Sequence, residues 1–167
     1  MTVHLAPPDE ANIGQAWLEA TPYVRERLLQ GALHADVGCG SGVRLVALAR
    51  AFPRSRFVGF DSSASGLERA AATVRAARLT DRVRLQQLRS PRGVPPSFDV
   101  VSVLELAAFP GGRAALLRSV HDALAPDGAA VVGGTSELVA RELCLDAGFS
   151  FIRRLHVAEH ELFEVRP

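Results

Sequence analysis

The chain has little cysteine, few aromatics and almost no net charge, and each shortage excludes something. Two cysteines in 167 residues, Cys39 and Cys144, cannot build a disulfide framework and fit a reducing, cytosolic setting. A formal net charge of +1 offers no global field toward nucleic acid or an anionic membrane. No apolar run approaches the roughly 20 residues that span a bilayer. Met1–Glu10 lacks the charged-then-apolar pattern of an export signal. No His, Cys, Asp or Glu cluster has metal-ligand spacing and no Gly-x-Ser-x-Gly elbow occurs, so no metal site is expected. Hydrophobic residues at 48% and charged ones at 22% describe one ordinary globular domain with a substantial core.

Strand and helix patterns alternate along most of this length. Leu33–Cys39, Arg56–Asp61, Val83–Leu88, Phe98–Leu104 and Ala129–Val132 read as strands. Helical periodicity covers Val43–Ala51, Ala64–Ala77, a stretch from Gly111-Gly112 to Leu124, and Ser136–Ala147. Pro126-Asp127-Gly128 is expected to turn the chain into the fifth strand. Phe151–Val157 and Glu161–Val165 read as a closing hairpin turned around Ala158-Glu159. The expected architecture is α/β, a Rossmann-like doubly wound seven-stranded sheet, mostly parallel with a C-terminal antiparallel hairpin. Residues 1–30 are expected to form an N-terminal helical arm, interrupted near Thr21-Pro22, on a domain spanning 31–167.

Chemistry concentrates in His34-Ala35-Asp36-Val37-Gly38-Cys39-Gly40-Ser41-Gly42, where an apolar strand meets three alternating glycines just before a helix. Glycine turns at strand–helix junctions bend sharply and let a nucleotide-like ligand approach the backbone. The dinucleotide fingerprint needs a third glycine where this chain has Val43, and Asp36 would repel a pyrophosphate. A carboxylate there favours a ligand carrying an amino group. Cys39 reads as a small packing thiol within the turn.

Asp36-Val37-Gly38-Cys39-Gly40-Ser41-Gly42 resembles the first motif of class I methyltransferases that use S-adenosylmethionine. Asp61 ends the second strand about 20 residues on, where an acid can accept both ribose hydroxyls. Phe98-Asp99-Val100-Val101, Leu124-Ala125-Pro126-Asp127-Gly128 and Ala147-Gly148-Phe149 resemble later family elements, so the likeness runs from about Pro22 to Pro167. Tyr23-Val24-Arg25-Glu26-Arg27-Leu28 and Glu164-Val165-Arg166-Pro167 further resemble bacterial members that carry an N-terminal winged-helix domain. The resemblance implies that this chain lacks that domain, and also a lid-like insertion before the last helix.

The resemblance implies S-adenosylmethionine as cofactor. Gly38, Cys39, Gly40 and Gly42, with Asp36, would surround its methionine part and Asp61 its ribose. Ser62, Leu88 and Arg89 would surround its adenine, with Leu104 lining the site and Glu105 facing the methyl group as a base or orienting group. Arg89 stands where the family has an acid for the adenine amino group, and arginine has only donors. His121 reads as a surface residue; His156 and His160 flank the hairpin, where the surface is the commoner place for a histidine and reach of the cleft the alternative; Trp17 and Tyr23 read as core or lid aromatics. The implied activity is methylation of a small molecule, with no nucleic-acid or membrane partner. A homodimer is allowed for, with Leu106, Phe109 and Phe151 as exposed contact candidates. The alternative from another class is a non-methylating protein that binds the cofactor or a metabolite, as a partner subunit, a regulator or the host of another reaction such as cyclisation.

Overall fold

The structure, a computed structural model, describes residues 16–157 and 160–167. Helix α1 (Pro22–Gln30) precedes strand β1 (Leu33–Val37), helix α2 (Val43–Ala51), strand β2 (Arg56–Asp61) and helix α3 (Ala64–Ala76). Strands β3 (Val83–Gln87) and β4 (Phe98–Val103) follow. Then come a 3₁₀ turn (Leu106–Ala108), helix α4 (Arg113–Ala123), strand β5 (Leu124–Gly133), helix α5 (Glu137–Ala147) and the hairpin β6 (Phe151–Val157) and β7 (His160–Arg166). The sheet order is β3-β2-β1-β4-β5-β7-β6, with β1 to β5 parallel and β7 antiparallel to both β5 and β6. Seven strands, a parallel core and a terminal antiparallel hairpin match the architecture expected from the sequence. The turn expected at Ala158-Glu159 lies outside the described residues.

Apolar residues on both faces of the central strands require helices on both sides. One face carries Phe57, Val100 and Val131 beneath Trp17, Leu28, Leu45, Leu48 and Val74. The other carries Ala35, Val101 and Val132 beneath Leu116, Leu117, Val120, Ala140 and Cys144. The helical segment at 16–20 and α1 therefore pack into the sheet, the break between them falling at Thr21, whose hydroxyl donates to the Trp17 carbonyl at 2.8 Å. The terminal hairpin is tied to these segments through Arg153 and Arg166. Both pair with the fully buried Glu164 carboxylate, and Arg166 also stacks on Tyr23 at 3.7 Å.

Two element boundaries differ from the sequence reading. Strand β5 begins at Leu124, which pairs with Phe98, while the next parallel partners are Val100 and Ala129. The Pro126-Asp127-Gly128 turn therefore falls inside β5, where the register shifts, rather than before it. Helix α4 starts at Arg113, because Gly111 takes a φ of 76° and Gly112 serves as the cap.

The strand order reverses between β1 and β4. At such a point the loops leaving the carboxyl ends of the strands diverge and open a crevice, the usual ligand position in open parallel sheets.

Candidate functional site

Both loops at this crevice come from residues singled out in the sequence. Gly38, Gly40 and Gly42 have φ of 82°, 53° and 77°, the left-handed region that glycine enters without steric cost. Their surroundings differ. A Cβ on Gly42 would lie 3.0 Å from the Ala70 Cβ and 3.1 Å from its Cα, so this glycine lets α2 cross α3 closely. A Cβ on Gly38 would face the Phe109 ring at 3.9 Å. One on Gly40 would meet nothing within 4 Å, so open space lies over the backbone here.

Asp61 braces the loop. One carboxylate oxygen accepts the Gly40 N–H at 2.8 Å and the other the Ser63 N–H at 2.8 Å. Each oxygen keeps acceptor capacity for a ligand hydroxyl. A cavity of about 200 Å³ opens beside it, lined by Gly38, Cys39, Gly40, Arg44, Asp61, Ser62, Glu105, Ala108 and Phe109. A second of about 430 Å³ adjoins it, sharing Ser62, Ala108 and Phe109 and adding Leu88, Arg89, Ser90 and the Pro91 and Pro110–Gly112 walls.

Nine of the eleven site residues named from the sequence therefore gather here or shape the turn. The other two lie below the cleft. Asp36 is fully buried and accepts two hydrogen bonds from Arg44, Nε to Oδ2 at 3.1 Å and Nη2 to Oδ1 at 3.0 Å. The Ser102 hydroxyl donates to the same Oδ1 at 2.8 Å, and His34 Nε2 lies 3.0 Å from that hydroxyl. The negative charge read from the sequence is thus balanced inside the protein. Leu104 is buried, with its carbonyl against Gly133 and Gly134, and lines neither cavity.

Arg44, Ser102 and Phe109 were given no part in cofactor binding by the sequence reading. Ser102 is brought to Asp36 by strand register, the two being direct partners across β1 and β4. Arg44 sits in the first turn of α2, which folds back over β1, and its Nη2 also reaches the Gly38 carbonyl at 3.3 Å. Arg44 stands eight residues after Asp36, in the first turn of the helix that the glycine turn opens.

Burial pushes the Cys39 thiol up to about 12, reinforced by Asp36 and Asp61 nearby, so it stays protonated and packs as expected. Burial likewise brings His34 down to about 4, against the pull of Asp36, so its ring is neutral near pH 7. Leu106 is fully buried, correcting its place among exposed contact candidates: the 3₁₀ turn points it into the core. His121 is half-buried and packs edge-on against Phe149 at 5.2 Å. His156 and His160 are exposed on the hairpin at the far edge of the sheet and line neither cavity.

A family model described as "Methyltransferase domain" matches residues 35–130, more than half of the chain and all of the crevice. The chain belongs to the class I S-adenosylmethionine-dependent methyltransferases. Solved methyltransferases share its fold. The S-adenosylmethionine-dependent methyltransferase SibL in its apo form is 24% identical over 90% of this chain and 56% of that chain, with a TM-score of 0.70. The mitomycin 7-O-methyltransferase MmcR is 19% identical over 94% of this chain and 53% of that chain, with a TM-score of 0.80. The N,N-8-amino-8-demethyl-D-riboflavin dimethyltransferase RosA from Streptomyces davawensis is 19% identical over 92% and 53%, with a TM-score of 0.75. The methyltransferase domain thus spans about half the length of these neighbours. No curated protein matches it in sequence. S-adenosylmethionine is the cofactor of this family. Among the described residues no helix is long and apolar enough to cross a membrane.

Proposed function

We propose that this methyltransferase domain binds S-adenosylmethionine in the switch-point crevice and transfers its methyl group to a small molecule. The observation that carries the reading is the open space over Gly40, beside the Asp61 carboxylate and continuous with the larger cavity. Such a cradle fits a ligand with a compact polar head, two hydroxyls and a flat base. The Gly38–Gly40 backbone and Arg44 would face the methionine part, Asp61 would accept from the ribose, and Ser62, Leu88 and Arg89 would bound the base. Asp36 acts as a positioning residue, holding Arg44 across the head of the site.

The cofactor supplies an electrophilic methyl group on a sulfonium that leaves readily. The chain's own task is to align an acceptor and exclude water, which needs no dedicated acid–base pair. Glu105, exposed at the carboxyl end of β4 and lining the smaller cavity, is placed to take a proton from an acceptor hydroxyl or amine or to orient it. A small acceptor is supported by neighbours named for mitomycin and a riboflavin derivative, and a nucleic acid is disfavoured by the net charge of +1. Two buried free thiols agree with a cytoplasmic setting.

One observation favours the non-methylating alternative: only Gly134–Ser136 joins β5 to α5, so no insertion there covers the cleft. A second copy of the chain could supply that cover. Incubation with methyl-labelled cofactor and a panel of phenols, amines and carboxylic acids tests the reading. Transfer to a small acceptor, reduced at least tenfold in Glu105→Gln, supports it; cofactor binding without transfer to any acceptor favours the alternative.

A further inference from the structure

We propose that Phe109 recognises the sulfonium charge, and so lets the site distinguish S-adenosylmethionine from its demethylated product. The inference rests on the cofactor reading above and concerns a residue to which the sequence reading gave no cofactor role. The half-buried Phe109 ring is one of three residues that line both cavities, with Ser62 and Ala108. Its Cε2 and Cζ lie 3.9 Å from where a Cβ of Gly38 would stand, so the ring leans on the glycine turn at the junction of the cleft.

The two sides of that junction differ in chemistry. Toward the glycine turn lie Arg44, Asp61 and Glu105, which suit a charged head; toward Leu88 and Pro91 the walls are largely apolar, with Arg89 as the charged residue. A ligand whose charged head enters the first and whose base enters the second must place its connecting atoms between them. In S-adenosylmethionine those atoms are the sulfur and the ribose. Of the three shared residues, Ala108 offers a methyl group, Ser62 a hydroxyl and Phe109 an aromatic ring. A cation within about 6 Å of a ring centroid is attracted by the negative face of the ring quadrupole. A neutral thioether of nearly the same shape is not.

Asp61 and Glu105 also attract a cation at the head of the site, so the ring's share is read by varying Phe109 alone. Calorimetric titration of the full chain with S-adenosylmethionine and S-adenosylhomocysteine would compare wild type, Phe109→Leu and Phe109→Tyr. Phe109→Leu is expected to weaken S-adenosylmethionine roughly 2- to 30-fold more than S-adenosylhomocysteine, and Phe109→Tyr to keep the wild-type ratio. Retained S-adenosylhomocysteine binding shows that the leucine variant is folded. Equal weakening of both ligands would reduce the ring to a packing wall and overturn the proposal, as would an unchanged ratio. Failure of wild type to bind either ligand would overturn the cofactor reading itself, a result distinct from both.

Discussion

Replacing Arg44 by methionine keeps most of the side-chain volume and removes the guanidinium. The Asp36 carboxylate, 0% exposed, would then be left with the Ser102 hydroxyl among the partners described above, having lost hydrogen bonds of 3.1 and 3.0 Å. Deleting one partner of a buried ion pair costs about 3–5 kcal/mol, because the remaining charge is desolvated without compensation. For a chain of this size that corresponds to a fall in Tm of roughly 6–20 °C. Asp36→Asn is milder, since the amide oxygen can still accept from Ser102 and Arg44 borders the cleft; about 1–3 kcal/mol is expected. Combining the two removes the uncompensated charge, so the double variant should be more stable than the summed single losses imply by at least about 1 kcal/mol. Urea unfolding of all four proteins at pH 7, followed by circular dichroism, gives each value. An Arg44→Met loss below about 1 kcal/mol, or strict additivity in the double variant, would refute the claim that the pair is a buried, mutually dependent unit.

Two further predictions follow from the same loop and its underside. Gly42→Ala, strained at φ 77° and driven against Ala70, should cost about 2–4 kcal/mol in urea melts; Gly40→Ala, with open space, should cost about 1 kcal/mol yet weaken cofactor binding more than tenfold. His34, held neutral with its value brought down to about 4 by burial, binds a proton more readily when unfolded. Its stabilisation is therefore complete above about pH 6.5 and lost as pH falls toward 4, on the order of 3 kcal/mol, and a His34→Gln variant should show a shallower stability slope over that range.

How far the sequence carried the account depends on the range of the interaction concerned. The glycine turn, the acid ending β2 and the alternation of elements are local patterns, and their positions in the fold agree with the reading. The balance of charge around Asp36 was not legible. Arg44 reaches it because α2 turns back over β1, and Ser102 because β4 pairs with β1 in one register. Neither follows from spacing along the chain. Leu106 sits in a 3₁₀ turn too short to show a period and Phe109 directly follows it, so both were read as exposed although Leu106 is core and Phe109 half-buried. The Pro126-Asp127-Gly128 run has turn composition, and only the pairing of Leu124 with Phe98 shows that β5 begins before it.

The central claim is that the Gly38–Gly42 turn and Asp61 form the cofactor site. Calorimetric titration of wild type and Asp61→Asn with S-adenosylmethionine tests it most directly, asparagine being chosen because its oxygen can still brace the Gly40 N–H. Micromolar binding to wild type, lost at least tenfold in the variant while its melting temperature stays within a few degrees, is the predicted result. Absence of binding to folded wild type, or equal affinity of the two proteins, would contradict the account.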